Sequence, residues 1–120
     1  TEIYTLSLHD ALPISLSFGV IRNDRLLGYG VLRKCREGFK VGPLFANDNA
    51  LARSLFNALT KDLDSGTAVF LDTPQVNANA VTLAQDYGMS EVFRTTRMYR
   101  GNPPVLPLQK WFGVTTFELG

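Results

Sequence analysis

Histidine, cysteine and long apolar runs are almost missing from this sequence. Its 120 residues include one histidine, His9, and one cysteine, Cys35. A disulfide framework needs paired cysteines, and a structural metal site usually draws several ligands from cysteine and histidine, so we predict neither. No apolar run approaches the length of about 20 residues that a membrane-spanning helix requires. We therefore expect no metal site and no membrane partner.

Charge is scarce as well, and its two signs nearly cancel. The chain has 12 basic and 11 acidic residues and a formal net charge of +1. Proteins that bind nucleic acid usually carry a basic excess, so we expect no nucleic-acid partner. A hydrophobic content of 45% in a chain of this length is typical of one globular domain with a single core.

Residues 1–15 stand apart from the rest of the chain. They read TEIYTLSLHDALPIS, which resembles, codon for codon, one translated frame of a widely used sequencing adapter. We therefore predict that this segment is not native, that the natural domain spans residues 16–120, and that natural sequence, which could include a first domain, precedes Leu16. The segment lacks the positive n-region and apolar core of a signal peptide, and we expect a cytoplasmic protein. Because His9 lies in it, the domain itself has no imidazole acid or base.

The most informative stretch is residues 67–89. The apolar, β-branched and aromatic run from Thr67 to Asp72 predicts a buried strand, which Pro74 ends because proline has no N–H to donate. Asn77 or Asn79 can cap the helix that follows, since a side-chain oxygen there accepts a hydrogen bond from an orphan backbone N–H. Helical spacing predicts one buried face of that helix, formed by Ala80, Leu83, Ala84 and Tyr87.

The remaining elements follow from apolar patterns and turn residues. Polar residues at 22–25 predict a tight turn between two strands of a hairpin. Gly28 and Gly30 lie in the middle of a strand with no helix after them, which favours a bulge or a close backbone approach over a phosphate loop. The predicted order is strands at 16–21, 26–34 and 39–45, a helix at 49–63, a strand at 67–72, a helix after 77, a strand at 91–100, a short turn or helix at 108–112 and a strand at 114–117.

Two sets of residues carry a resemblance to a known family. Asn77, Ala80, Leu83 and Gly88 fall at the spacing seen in GNAT (Gcn5-related) N-acetyltransferases after a strand. Ala84 stands where that family usually has Tyr, and Met89 where it usually has Phe. From about Leu16 onward the chain also resembles the C-terminal domain of some tandem bacterial acetyltransferases, in the pieces 28–33, 42–46, 70–72, 97–99 and 112–120. The resemblance implies an α/β fold with a GNAT-type mixed twisted sheet, in which an antiparallel hairpin precedes strand–helix–strand–helix–strand.

The resemblance implies transfer of acetyl from acetyl-CoA to a small-molecule or peptide amine. In the family the cofactor lies in a cleft between two splayed strands, and a glycine-rich loop before a helix holds its pyrophosphate. The corresponding residues 47–52, NDNALA, lack those glycines, and Asp48 adds a negative charge that repels phosphate. A plain helix cap, from Asn47 or Asp48, is the simpler interpretation of this stretch. We therefore expect a degenerate domain that contributes substrate pocket and structure, while an N-terminal GNAT domain binds acetyl-CoA.

Six residues are candidates for the functional site. Asn77 matches the family Asn beside the pantetheine arm of the cofactor, although a helix cap explains it equally well. Tyr87 is a candidate for the missing acid at Ala84, with a core role as its alternative. The candidate wall of the amine pocket is formed by Glu37, Asp72, Tyr99 and Trp111. A non-catalytic structural or ligand-sensing module of the same fold is the alternative function, because fold alone does not fix activity.

Overall fold

The computed structural model describes residues 2–5, 15–92, 94–95 and 100–115. These residues form one mixed sheet with α-helices, as the sequence predicted. The strands are β1 (Glu2–Thr5), β2 (Ser15–Arg22), β3 (Arg25–Lys34), β4 (Phe39–Ala46), β5 (Val69–Leu71) and β6 (Trp111–Gly113). The α-helices are α1 (Asn49–Thr60) and α2 (Ala78–Asp86), and a 3-10 turn at Leu108–Lys110 leads into β6.

Strands β1 to β4 form an antiparallel meander, and β5 then pairs in parallel with β4. The predicted hairpin between β2 and β3 is confirmed. Its turn residues Asn23 and Asp24 have φ of 52° and 60°, the left-handed values that a tight two-residue hairpin turn requires. Asparagine and aspartate tolerate this region better than most residues, so the turn fixes the register of the hairpin.

Helix α1 packs across β3, where two glycines let it come close. A Cβ placed on Gly30 would lie 2.8 Å from Cδ1 of Leu59, and one on Gly28 would lie 3.1 Å from Cδ1 of Leu55. The prediction of a close backbone approach is therefore confirmed. The buried face of α1 supplies much of the core, through Leu51, Ala52, Leu55, Phe56 and Leu59.

The strand predicted at 91–100 is wrong for the residues that the structure describes there. Glu91, Val92, Arg94 and Thr95 have no strand assignment, and the side chain of Val92 is 80% exposed. Arg94 instead donates to both carboxylate oxygens of Glu91, at 2.7 and 3.0 Å. These hydrogen bonds, and then the charge of Arg94, lower the pKa of Glu91. In this segment the structure shows side-chain hydrogen bonds between Arg94 and Glu91 and no backbone pairing of the described residues with the sheet.

The last strand lies earlier than predicted. β6 covers Trp111–Gly113, whereas the sequence pattern favoured 114–117, of which residues 116 and 117 lie outside the described part. β6 pairs antiparallel with the second half of β4. Gly113 fits this place because a Cβ there would lie 2.8 Å from Cδ1 of Leu71.

Candidate functional site

Two strands share one edge of β4, one after the other. β5 pairs only with the first part of β4, from Phe39 to Val41, and the chain then leaves the sheet after Leu71. We call the edge of β4 from Gly42 to Ala46, which β5 does not reach, the notch. β6 pairs along the notch, and the N–H of Val114 donates to the carbonyl oxygen of Asp72 at 2.8 Å. The space between the diverging strands β4 and β5 is therefore filled by the chain itself.

Main-chain atoms of β4 and of Val114, the residue after β6, meet closely in the notch. A Cβ placed on Gly42 would lie 2.4 Å from the carbonyl oxygen of Val114. Phe112, in the middle of β6, has no exposed surface and belongs to the core. Because these contacts involve main chain and a core side chain, the notch leaves no room for a further extended molecule while β6 is in place.

Asn77 ties this filling segment to the start of α2. Its Oδ1 accepts from the N–H of Ala80 at 3.1 Å, which confirms the predicted helix cap. Its Nδ2 donates to the carbonyl oxygens of Leu108, Gln109 and Trp111 at 3.1, 3.2 and 2.9 Å. The residue is completely buried. The amide of Asn77 is thus bonded throughout by the protein, and its contact with a cofactor stays a prediction.

Asp72 lies at the end of β5, beside the filled notch. Its carboxylate forms an ion pair with Lys40 of β4, and the two side chains are only 16% and 18% exposed. Its main-chain oxygen holds Val114, three residues after Trp111. The structure therefore brings two of the predicted wall residues, Asp72 and Trp111, to the same stretch of the sheet. The carboxylate already has a cationic partner there.

Three aromatic rings meet on the side of the sheet that α1 does not cover. Tyr29 and Phe45 stack with centroids 5.8 Å apart and planes at 23°. Trp111 lies opposite Phe45 in the ladder between β4 and β6. With Pro43 and Thr115 these residues line a pocket of about 150 Å³. Sequence analysis missed Tyr29 and Phe45, although both alternate with residues on the α1 side of their strands.

The other predicted site residues lie elsewhere. Glu37 is exposed in the turn between β3 and β4, at the opposite end of β4 from Trp111. Tyr87 caps the C-terminal end of α2 and is 45% exposed, so its assignment to the buried face was wrong. The helix ends before it, and its ring packs edge-on against Phe56 with centroids 4.6 Å apart. Tyr99 lies outside the described residues.

The N-terminus of α1 is closed by an acidic side chain. Oδ1 of Asp48 accepts from the N–H of Leu51 at 2.8 Å, so of the two predicted caps Asp48 is confirmed. The carboxylate stabilises the positive end of the helix dipole and opposes a phosphate in the same place. In the part of the chain that the structure describes, no group of three metal-binding side chains is close enough to hold an ion, and none of the helices is long and apolar enough to cross a membrane.

Replacement of the α1 cap gives a measurable loss of stability. We expect Asp48→Ala to lower the free energy of unfolding by about 1 kcal/mol, because the N–H of Leu51 loses its acceptor. Asp48→Ser should restore most of this, while Asp62→Ala, at an exposed site after the helix, should change little. Urea denaturation measures all three variants. Equal losses for Asp48→Ala and Asp62→Ala would contradict the cap.

Comparison with known proteins agrees with this architecture. The family model described as an acetyltransferase (GNAT) domain matches residues 9–113. Holothin acyltransferase from Pseudoalteromonas sp. (strain SANK 73390) is 29% identical over 103 residues, which cover 86% of this chain and 35% of that relative. The chain thus spans about a third of the relative's length. No solved structure gives a significant match. The family match over nearly the whole chain, on a mixed sheet whose parallel strands diverge, shows that the chain belongs to the GNAT acetyltransferase family.

Proposed function

We propose that this chain is one domain of an N-acyltransferase that moves acetyl from acetyl-CoA to a small-molecule or peptide amine. In this proposal the domain contributes part of the amine pocket and structural support, while another part of the protein binds the cofactor. The family match and the acyltransferase relative support acyl transfer. The division of labour between two parts is our own inference.

The filled notch is the main observation in support of this division of roles between two domains. An acyl-CoA bound between diverging strands needs a free edge on β4 beyond Val41, and here β6 pairs with that edge. Asn77 fixes the segment with three donated hydrogen bonds, at 3.1, 3.2 and 2.9 Å. Removing β6 would expose Phe112, which is fully buried, so the filled state is strongly favoured.

Two further observations agree with a domain that does not hold the cofactor. Asp48 already accepts the Leu51 N–H at the start of α1, and its charge disfavours a pyrophosphate there. Ala84 has no hydroxyl with which to protonate a leaving thiolate. Asp48 disfavours pyrophosphate at the start of α1, and Ala84 removes a proton donor from α2. Both helices still form.

The length of the relative supports a protein with more than this one domain. Its name states that it acylates holothin, and this chain aligns with only 35% of its length. We propose that this chain acts beside a second GNAT domain, which binds acetyl-CoA. A compact molecule with an accessible amine is the acceptor class we favour, because the chain offers one small pocket between β3, β4 and β6.

Calorimetry tests the proposal directly. Acetyl-CoA is titrated into the folded 120-residue chain, and we expect no binding in the micromolar range. The longer protein of this proposal, with the natural sequence that precedes Leu16, is then titrated with acetyl-CoA, and we expect binding. It is also assayed with a panel of amines, and we expect acetyl transfer. Micromolar binding by the 120-residue chain would contradict the proposed absence of a cofactor site in this domain.

The filled notch also favours a second function, that of a non-catalytic structural or ligand-sensing module. The two differ in the longer protein. Transfer whose KM for the amine changes with substitutions near Trp111, at unchanged KM for acetyl-CoA, supports the acyltransferase. Absence of both acetyl-CoA binding and transfer in the longer protein supports the module.

A further inference from the structure

We propose that the pocket between Tyr29, Phe45 and Trp111 binds one planar aromatic ring, and that this ring belongs to the acceptor amine. The second half of this statement rests on the proposed acyltransferase function, whereas the first half stands on the pocket alone. The ligand class is thus a small amine that carries one monocyclic aromatic ring. Neither the family match nor the relative assigns a role to these three residues.

Ring chemistry is the first argument for this ligand. Tyr29 and Phe45 are stacked, with centroids 5.8 Å apart, and Trp111 pairs with Phe45 across the β4–β6 ladder. All three residues are half-buried, so each presents part of its surface to the pocket or to solvent. Aromatic rings prefer further rings at offset or edge-on geometry, at centroid separations of about 4.5–7 Å. A fourth ring, from a ligand, placed against these three would meet that preference.

Size is the second argument. The pocket has a volume of about 150 Å³, and an apolar cavity of about 150 Å³ engineered into another protein holds benzene. One six-membered ring therefore fits, whereas a fused multi-ring group would extend out of the pocket. Tyr29, Phe45 and Trp111 are partly exposed, so a substituent such as an amine can remain in water.

The third argument is that the filled notch builds this pocket. β6 reaches the notch only because residues 108–113 fold back along β4, and this placement brings the indole of Trp111 beside Phe45. Asn77 donates to the carbonyl oxygen of Trp111 at 2.9 Å and so holds its main chain. The segment that takes the place of a cofactor thus becomes one wall of a ligand site. Asn77 is a positioning residue for that wall.

The chain carries its own probe, because Trp111 is the only tryptophan. The 120-residue chain is titrated with benzylamine, benzyl alcohol and cyclohexylmethylamine while indole emission is recorded. We expect saturable changes with both aromatic ligands, and about fivefold weaker binding of the cyclohexyl compound because it lacks ring stacking. No saturable change with benzylamine, or equal affinity for cyclohexylmethylamine, would overturn the proposal.

Variants locate the binding. Tyr29→Leu should weaken benzylamine about tenfold, since it removes one ring from the pocket, and Tyr29→Phe should retain binding because it keeps that ring. Phe70→Leu is the matched control, since Phe70 is an exposed ring on β5 outside the pocket. Circular dichroism checks that each variant is folded. Equal weakening by Tyr29→Leu and Phe70→Leu would place the ring elsewhere and refute the site.

A separate readout keeps this proposal distinct from the proposed function. If the ring binds but the longer protein transfers no acetyl to amines that carry an aromatic ring, the pocket stands and the acceptor assignment fails. The acyltransferase function fails as well only if the longer protein acetylates no amine. If the longer protein acetylates aliphatic amines and the pocket binds no ring, the function stands and this inference fails.

Discussion

Asn77→Ala is expected to destabilise the fold by about 3 kcal/mol. The variant removes the amide that donates to the carbonyl oxygens of Leu108, Gln109 and Trp111, of which Leu108 keeps the N–H of Trp111 as a second donor, and it removes the cap of α2. A lost cap costs about 1 kcal/mol, and each buried polar group left unpaired costs about 1–3 kcal/mol. Urea denaturation measures the loss, and Trp111 emission should shift to the red as β6 loosens.

Substitutions at the same position separate the two roles of Asn77. Asn77→Ser keeps a capping oxygen and should recover only the cap. Asn77→Asp also keeps the cap but turns a carboxylate towards three carbonyl oxygens, so near neutral pH we expect it to be the least stable variant. Folding then favours the protonated acid, and the deficit should shrink as pH falls towards about 4. Asn79→Ala, exposed two residues later, is the control. A loss as large for Asn79→Ala would disprove the special role of Asn77.

Gly42→Ala is the second large expected effect, with a loss of about 3 kcal/mol. Its Cβ would lie 2.4 Å from the carbonyl oxygen of Val114, and a main-chain atom cannot move aside as a flexible side chain can. The contact should push β6 away from β4 and disturb Trp111 with it. Denaturation reports the energy, and indole emission reports the displacement of β6.

Gly88→Ala is the control that isolates this clash from backbone strain. Gly88 has φ of 74° and open space where a Cβ would lie, so its substitution costs only the left-handed strain, about 1 kcal/mol. Trp111 emission should not change in this variant. A Gly42→Ala protein with native stability and native emission would show that β6 does not occupy the notch.

Turns, helix caps and close backbone contacts were predictable from the sequence, because each is formed by a few residue types. Asn23 and Asp24 marked the hairpin turn, and Asp48 and Asn77 were among the predicted caps, because short polar side chains serve turns and helix starts. Gly30 indicated a close approach for the same kind of reason. In each case the deciding contact lies within a few residues or needs only the absence of a side chain.

Long-range pairing was not predictable in the same way. The alternating segment at 91–100 has strong strand propensity, yet its described residues are not in a strand, because propensity does not supply a partner. β6 has only three residues, and it pairs with Leu44 and Phe45 of β4, which are distant in sequence. Its hydrophobic pattern is therefore too short to predict a strand. The aromatic pocket depends on the register between β4 and β6, and the donated bonds of Asn77 depend on where residues 108–111 return.

The shared edge of β4 also bears on how the chain is made. Until Trp111–Gly113 has been synthesised and has folded back, the second half of β4 presents unpaired N–H and C=O groups on that edge. Exposed strand edges are templates for pairing with other chains, and contacts so distant in sequence form slowly. The late arrival of β6 therefore leaves this edge of β4 open to aggregation until Trp111–Gly113 has paired with it. A chain truncated before Trp111 could still form the β2–β3 hairpin and α1, but it would expose the unpaired edge of β4.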